Sequence, residues 1–208
     1  AFAANTHIHT GAGNDVINIG KLTDSSNADT WGLADIAGDI YITGGADNDT
    51  VNVGNSSDSD DHTSTLTDGT FTSTATGSGK IHFFSEAITQ DLNTDPAILA
   101  LPSAVTVEYI NIVMGSGIDH ITVNDSGTLV TDWDASQVEV SVDTAAGKDV
   151  VDIIDNVVSH LIIRTGGDED EINIKANRDG LTIYAGSEND IINIGNGELL
   201  QDIAANLT

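Results

Sequence analysis

The sequence predicts an all-β chain, folded as a right-handed parallel β-helix (a β-solenoid) with minimal coils of about 20 residues and a large loop insertion. Three observations carry this expectation. Six segments align on a single Asp, apolar residues recur at fixed offsets on both sides of it, and the last two Asp-to-Asp spacings are 21 and 20 residues.

The aligned residues are Asp15, Asp49, Asp119, Asp149, Asp170 and Asp190, in segments from TGAGNDVINI at Thr10 to AGSENDIINI at Ala185. Four residues before each Asp stands Gly or Ala: Gly11, Gly45, Gly115, Ala145, Gly166 and Gly186. Two and four residues after each Asp stand Ile or Val, from Ile17 and Ile19 to Ile192 and Ile194. Seven residues before it stands Ile or Val again, from Ile8 to Ile183. Alternation on both sides of a glycine turn is the pattern of half-buried strands. Each unit therefore reads strand, Asp-turn, strand.

A unit of about 20 residues cannot bury its own apolar face, so units must stack. The remaining gaps, of 34, 70 and 30 residues, imply loops at the corners of the stack. A β-sandwich is the alternative, but it does not explain one Asp-turn between two strands six times. The chain divides into solenoid coils over 1–54, an insertion and covering segment over 55–104, and coils over 105–208, all one continuous domain. Within the insertion, 55–80 is rich in Ser, Thr, Asp and Gly and reads as a loop or small excursion projecting from the solenoid. Residues 81–104 carry Phe and Leu enough for a short helix or a covering patch.

Composition narrows the function. The chain has 33 acidic and 6 basic residues, a net charge of −27, which repels nucleic acid and anionic membranes. It has no cysteine, so a metal is the available staple for a secreted chain. No apolar run is long enough for a membrane span. The chain begins at Ala1 and is read as a segment of a longer protein.

Stacking brings equivalent residues to about 4.8 Å. Two carboxylates at that distance repel by about 0.9 kcal/mol in a water-like medium and about 3.5 kcal/mol at an effective dielectric near 20. A row of Asp therefore calls for a cation. Calcium suits it, because calcium takes carboxylate and backbone carbonyl oxygens together. The other reading is a calcium-free solenoid in which Asp serves only as a turn residue.

These turns resemble the nonapeptide G-G-x-G-x-D-x-U-x of RTX proteins, a calcium-binding β-helix repeat. Gly11, Gly13, Asp15 and Ile17 match it best, followed by Gly44, Gly45 and Asp49, then Gly115, Gly117 and Asp119. The likeness covers about a third of the chain. It departs in having one turn per 20 or more residues, and in losing the glycine two before the Asp at Asp47, Asp168 and Glu188. The resemblance implies a repeat region of a very large secreted bacterial surface protein, with calcium as cofactor. Its implied ligands are Asp15, Asp47, Asp49, Asp119, Asp149, Asp168, Asp170, Glu188 and Asp190, the turns with two acids being the strongest.

The expected role is structural: a calcium-stiffened segment of an adhesin, sheath, surface layer or filament, extracellular or on the cell surface, and not an enzyme. Expected partners are calcium and either copies of the chain stacked end to end or neighbouring repeats of a longer chain. One alternative is a module binding a glycan or another partner through 55–104. Another is a calcium-dependent polysaccharide lyase using Arg164, Lys175 or Arg178 near Asp168 and Asp170; charge relief explains these bases more simply. Asn18, Asn52, Asn173 and Asn193, three after their Asp, point outward and are placed to form amide ladders or simply to face solvent. His7 and His9 share a solvent face. The stretch Thr63–Thr76 resembles the Thr arrays of ice-binding solenoids, but those lie on stacked coils and this one falls in the insertion.

Overall fold

Pleating sends alternate residues to opposite faces, so each Ile/Val pair of the repeat lies on one side of its strand. A computed structural model describes residues 4–21, 32–84, 107–125 and 137–195. The expectations placed on 85–104 and on the two chain ends lie outside these residues. The described chain is all-β apart from one 3-10 turn, Leu33–Asp35.

The first two Asp-turns join β1 (Thr6–Ala12) to β2 (Val16–Lys21) and β3 (Ile40–Ala46) to β4 (Thr50–Asn55). Three short strands follow: β5 (Thr63–Thr67), β6 (Thr70–Ser73) and β7 (Ile81–His82). The later Asp-turns join β8 (Tyr109–Val113) to β9 (His120–Asn124), β10 (Glu139–Asp143) to β11 (Val150–Asp155), β12 (His160–Arg164) to β13 (Glu171–Ile174), and β14 (Gly180–Tyr184) to β15 (Ile191–Ile194).

These strands form two sheets. One has nine strands in the order β1-β3-β7-β6-β5-β9-β11-β13-β15, and the other six in the order β14-β12-β10-β8-β4-β2. All pairs are parallel except β5–β6 and β6–β7. Apolar residues line up in columns on the inner face. Ile17, Val51, Ile110, Val140, Leu161 and Leu181 are in register across the six-stranded sheet. All but the end residues Ile17 and Leu181 are fully buried, and those two are nearly so. A buried side chain of this kind is worth roughly 1.5–3 kcal/mol, so the columns supply most of the cohesion.

That column mixes residues following the first two Asp with residues preceding the later ones. The strand before the Asp-turn lies in the nine-stranded sheet for Asp15 and Asp49, and in the six-stranded sheet from Asp119 onward. The change occurs between β4 and β8, which are adjacent in one sheet, while β5, β6 and β7 stand between β3 and β9 in the other. Residues 55–80, expected to project as a loop or small excursion, supply β5 and β6, and β7 follows at Ile81–His82. Leu66 of β5, Phe71 of β6 and Ile81 of β7 are fully buried, which anchors a stretch that is otherwise mostly small and polar.

Candidate functional site

The six Asp side chains form two rows and not the single stack expected. Because the strands of each turn exchange sheets, Asp15 and Asp49 lead into strands of the six-stranded sheet, β2 and β4, whereas Asp119, Asp149, Asp170 and Asp190 lead into strands of the nine-stranded sheet, β9, β11, β13 and β15. The rows therefore run along opposite edges.

Each row is built by one contact, repeated. The backbone N–H of one Asp donates to Oδ1 of the Asp in the next repeat: Asp15 to Asp49 at 2.9 Å, Asp119 to Asp149 at 2.8 Å, Asp149 to Asp170 at 2.9 Å and Asp170 to Asp190 at 3.2 Å. The short row is continued by Glu108, whose Oε2 accepts the Asp49 N–H at 2.7 Å. The long row begins at His62, whose N–H donates to Asp119 Oδ1 at 3.0 Å. Residues 56–62 thus form a corner in line with the later Asp-turns, without the repeat's sequence.

The turn backbone explains the glycines. Gly11, Gly45, Ala145, Gly166 and Gly186 have positive φ, as do Gly13, Asp47, Gly147, Asp168 and Glu188 two residues further on. At Gly166 a Cβ would meet the Ala145 carbonyl oxygen at 1.6 Å, so both space and φ require glycine. Asp47, Asp168 and Glu188 hold φ of 77°, 79° and 80° and are exposed. They act there as turn residues. The structure does not bring them together with Asp49, Asp170 and Asp190 as a metal-binding group: among the described residues no three His, Cys, Asp or Glu are placed to hold an ion. A cation here would rest on one or two row carboxylates, with backbone carbonyl and water oxygens completing its shell.

The row carboxylates themselves have spare capacity. Asp49, Asp119, Asp149 and Asp170 are at most 2% exposed, and with half-buried Asp15 each keeps its Oδ2 buried with no hydrogen-bond partner. Burial raises the pKa of Asp49, Asp119 and Asp170 above the ordinary carboxylate range and pushes Asp149 up to about 6. The Thr144 hydroxyl and the Asp119 N–H oppose the shift at Asp149, while the charges of Asp119 and Asp170 add to it. Such oxygens favour a proton or a cation. Beside the long row, Asp149, Asp170, Asp190, Lys148 and Glu169 line a groove of about 560 Å³. Lys148 and Glu169 form an ion pair across it at 2.6 Å.

Other sequence candidates are placed clearly. Asn18, Asn52 and Asn111 form one amide ladder, with Nδ2 to Oδ1 distances of 2.8 Å at both steps. Asp152, Asn173 and Asn193 form a second, at 2.9 and 2.8 Å. A third, buried step joins Asn156 Nδ2 to Asn177 Oδ1 at 2.7 Å; nothing in the repeat pattern marked it. Arg164 lies 5.2 Å from the Tyr184 ring centre and donates to Ser141 Oγ, while Arg178 pairs with Asp155 at 2.8 Å. His7 stacks on Tyr41, and Tyr41 on His82. His62 and His120 contact Asp58 and Asp152 at 3.0 and 2.7 Å. Except for His62 and Asp58, four residues apart, these pairs join residues distant in the sequence.

Compared with protein-family models, with curated proteins and with solved structures, the chain finds no match. Its functional reading rests on its own residues.

Proposed function

We propose that the chain is a calcium-stiffened, right-handed parallel β-helix segment of an extracellular structural protein of bacterial origin, as in an adhesin, sheath, surface layer or filament. The passage of consecutive strands of the Asp-turn units between two sheets, and their parallel pairing with their counterparts, support this reading. Right-handedness is the strong preference for parallel crossovers.

One observation carries the calcium part: the buried, partnerless Oδ2 of Asp15, Asp49, Asp119, Asp149 and Asp170. A hard divalent ion satisfies such oxygens and offsets the repulsion along each row. The resemblance to RTX repeats supports the same ion and the secreted, cell-surface setting. At β15, Ile192 and Ile194 are 45% and 44% exposed, whereas Ile172 and Ile174 one repeat earlier are fully buried. A neighbouring repeat or a second copy stacked on this end would cover them.

Thermal melts in calcium, in magnesium and in chelator test the proposal. A rise in Tm specific to calcium is expected. Superimposable melts would remove calcium while leaving the two sheets intact. Sedimentation velocity in calcium tests stacking, and a single monomer species at all concentrations would remove self-assembly.

A further inference from the structure

We propose that the hairpin β5–β6 carries an ice-binding face, an array of threonines that orders water. The reading is independent of calcium and of the structural role proposed above.

The hairpin sets Thr65 opposite Thr72 and Thr67 opposite Thr70. Thr74 follows beside Thr63, whose N–H donates to the Thr74 hydroxyl at 2.9 Å. All six threonines are exposed or half-buried, whereas Ser64, Leu66, Phe71 and Ser73 between them are buried. They therefore share the outer face, where Thr122 of β9 lies opposite Thr65 and extends the array. Strand geometry spaces the side chains at about 4.8 Å between strands and about 6.8 Å along them. The objection that this stretch lies off the stacked strands is removed by its place within the nine-stranded sheet.

Three features point to ice as the occupant. First, residues 63–79 contain a single charged side chain, Asp68, in a chain of net charge −27. The hairpin itself therefore imposes little ionic hydration on the water it meets; charge begins beyond it, at His120 opposite Thr63 and at Asp152 opposite Thr122. Second, threonine is β-branched and stiff at χ1, so the array is ordered before it binds. Third, among the described residues the hydroxyls of Thr70 and Thr74 contact His82 and His62, but those of Thr63, Thr65, Thr67 and Thr72 make no hydrogen bond. Identical free hydroxyls at a fixed repeat match a surface that itself repeats, and ice offers donors and acceptors in that manner. A neutral glycan would favour an open aromatic face. In the same sheet, Tyr41 is stacked between His7 at 5.1 Å and His82 at 4.4 Å and offers no open face.

The test uses the full chain in calcium-containing buffer, with ice growth followed by nanolitre osmometry. Faceted crystals and a thermal hysteresis gap are expected. In T65K–T72K the gap should vanish while circular dichroism and Tm stay those of the parent. T50K, on the outer face of the six-stranded sheet, should keep the gap. If T65K–T72K does not fold, T72K at exposed Thr72 gives the same reading. Unfaceted ice with no gap from the folded parent would overturn the proposal, and so would a full gap in the folded lysine variant. Retention on cellulose without any effect on ice would assign the face to a neutral glycan instead.

Discussion

The backbone N–H of Asp119 donates to Oδ1 of Asp149 at 2.8 Å, leaving Asp149 Oδ2 buried and unpartnered. The two oxygens of one carboxylate therefore have separate consequences. Asp149→Asn keeps an acceptor for the Asp119 N–H and removes the charge that burial disfavours. Its calcium-free Tm is expected to equal or exceed that of the parent, with a smaller rise on adding calcium. Asp149→Ala also orphans the N–H, which costs about 1–3 kcal/mol. Denaturant melts of the pair separate the effects; equal stability of Asn and Ala variants would show the hydrogen bond to be idle.

The raised carboxylate pKa values set the pH dependence. Asp149 rises from 3.8 to about 6 through burial, and Asp49, Asp119 and Asp170 shift the same way. A raised folded pKa means that the native state binds protons more tightly than the unfolded chain. The resulting stabilisation is complete below about pH 4 and is lost as pH rises through about 6. In chelator, Tm should therefore fall from about pH 4 to about pH 7, by roughly 2–4 °C for each kcal/mol lost. Calcium should flatten this slope by replacing the proton on the same oxygens. Calorimetry showing Tm rising over that interval would contradict it.

Much of the architecture was legible because a pleat fixes offsets. The strands and turns around all six Asp fall where the Ile/Val spacing puts them. Which sheet each strand joins was not legible. Ile17 and Ile110 occupy different places in their repeats yet share a column, and both positions accept the same apolar residues. Strands β5 and β6 were not legible because buried serines stand where apolar residues are expected. Ser64 and Ser73 satisfy each other inside, Oγ to Oγ, at 2.8 Å. For the site, sequence named the row carboxylates but could not divide them into two edges. Nor could it distinguish buried Asp170 from exposed Asp168, since a turn reverses side-chain direction within two residues.

The amide ladders offer a comparison of equal chemistry at different burial. Asn52 lies on the outer face between Asn18 and Asn111, whereas Asn156 is fully buried against Asn177. Asn52→Ala should cost about 1 kcal/mol or less, because water replaces the lost partners. Asn156→Ala should cost about 2–4 kcal/mol, since it leaves polar groups buried without partners and opens a cavity. Urea midpoints with unchanged m-values would measure both, and the order of the two is the point at risk.

At the glycine position of the turn, two substitutions should act in opposite directions. Gly166→Ala combines φ of 88° with a Cβ placed 1.6 Å from the Ala145 carbonyl oxygen, and should cost on the order of 2–4 kcal/mol. Ala145 already holds φ of 70°, so Ala145→Gly should relieve about 1 kcal/mol of left-handed strain. Chemical denaturation of the two variants decides the matter; Ala145→Gly destabilising the fold would mean that its methyl packing outweighs the strain.

Phe71 tests whether residues 63–84 belong to the core. Its side chain is fully buried, and its strand pairs Leu66 on one side and Ile81 on the other. Phe71→Ala should therefore cost about 3–5 kcal/mol. Deleting residues 63–79 should be more severe, because it removes β5, the parallel partner of β9, and exposes Ile121 and Val123 at an unpaired edge. Loss of a cooperative transition is expected from the deletion. A deletion variant that melts cooperatively near the parental Tm would mean that β3 and β9 can close the sheet without the hairpin, and that these strands decorate the nine-stranded sheet instead of completing it.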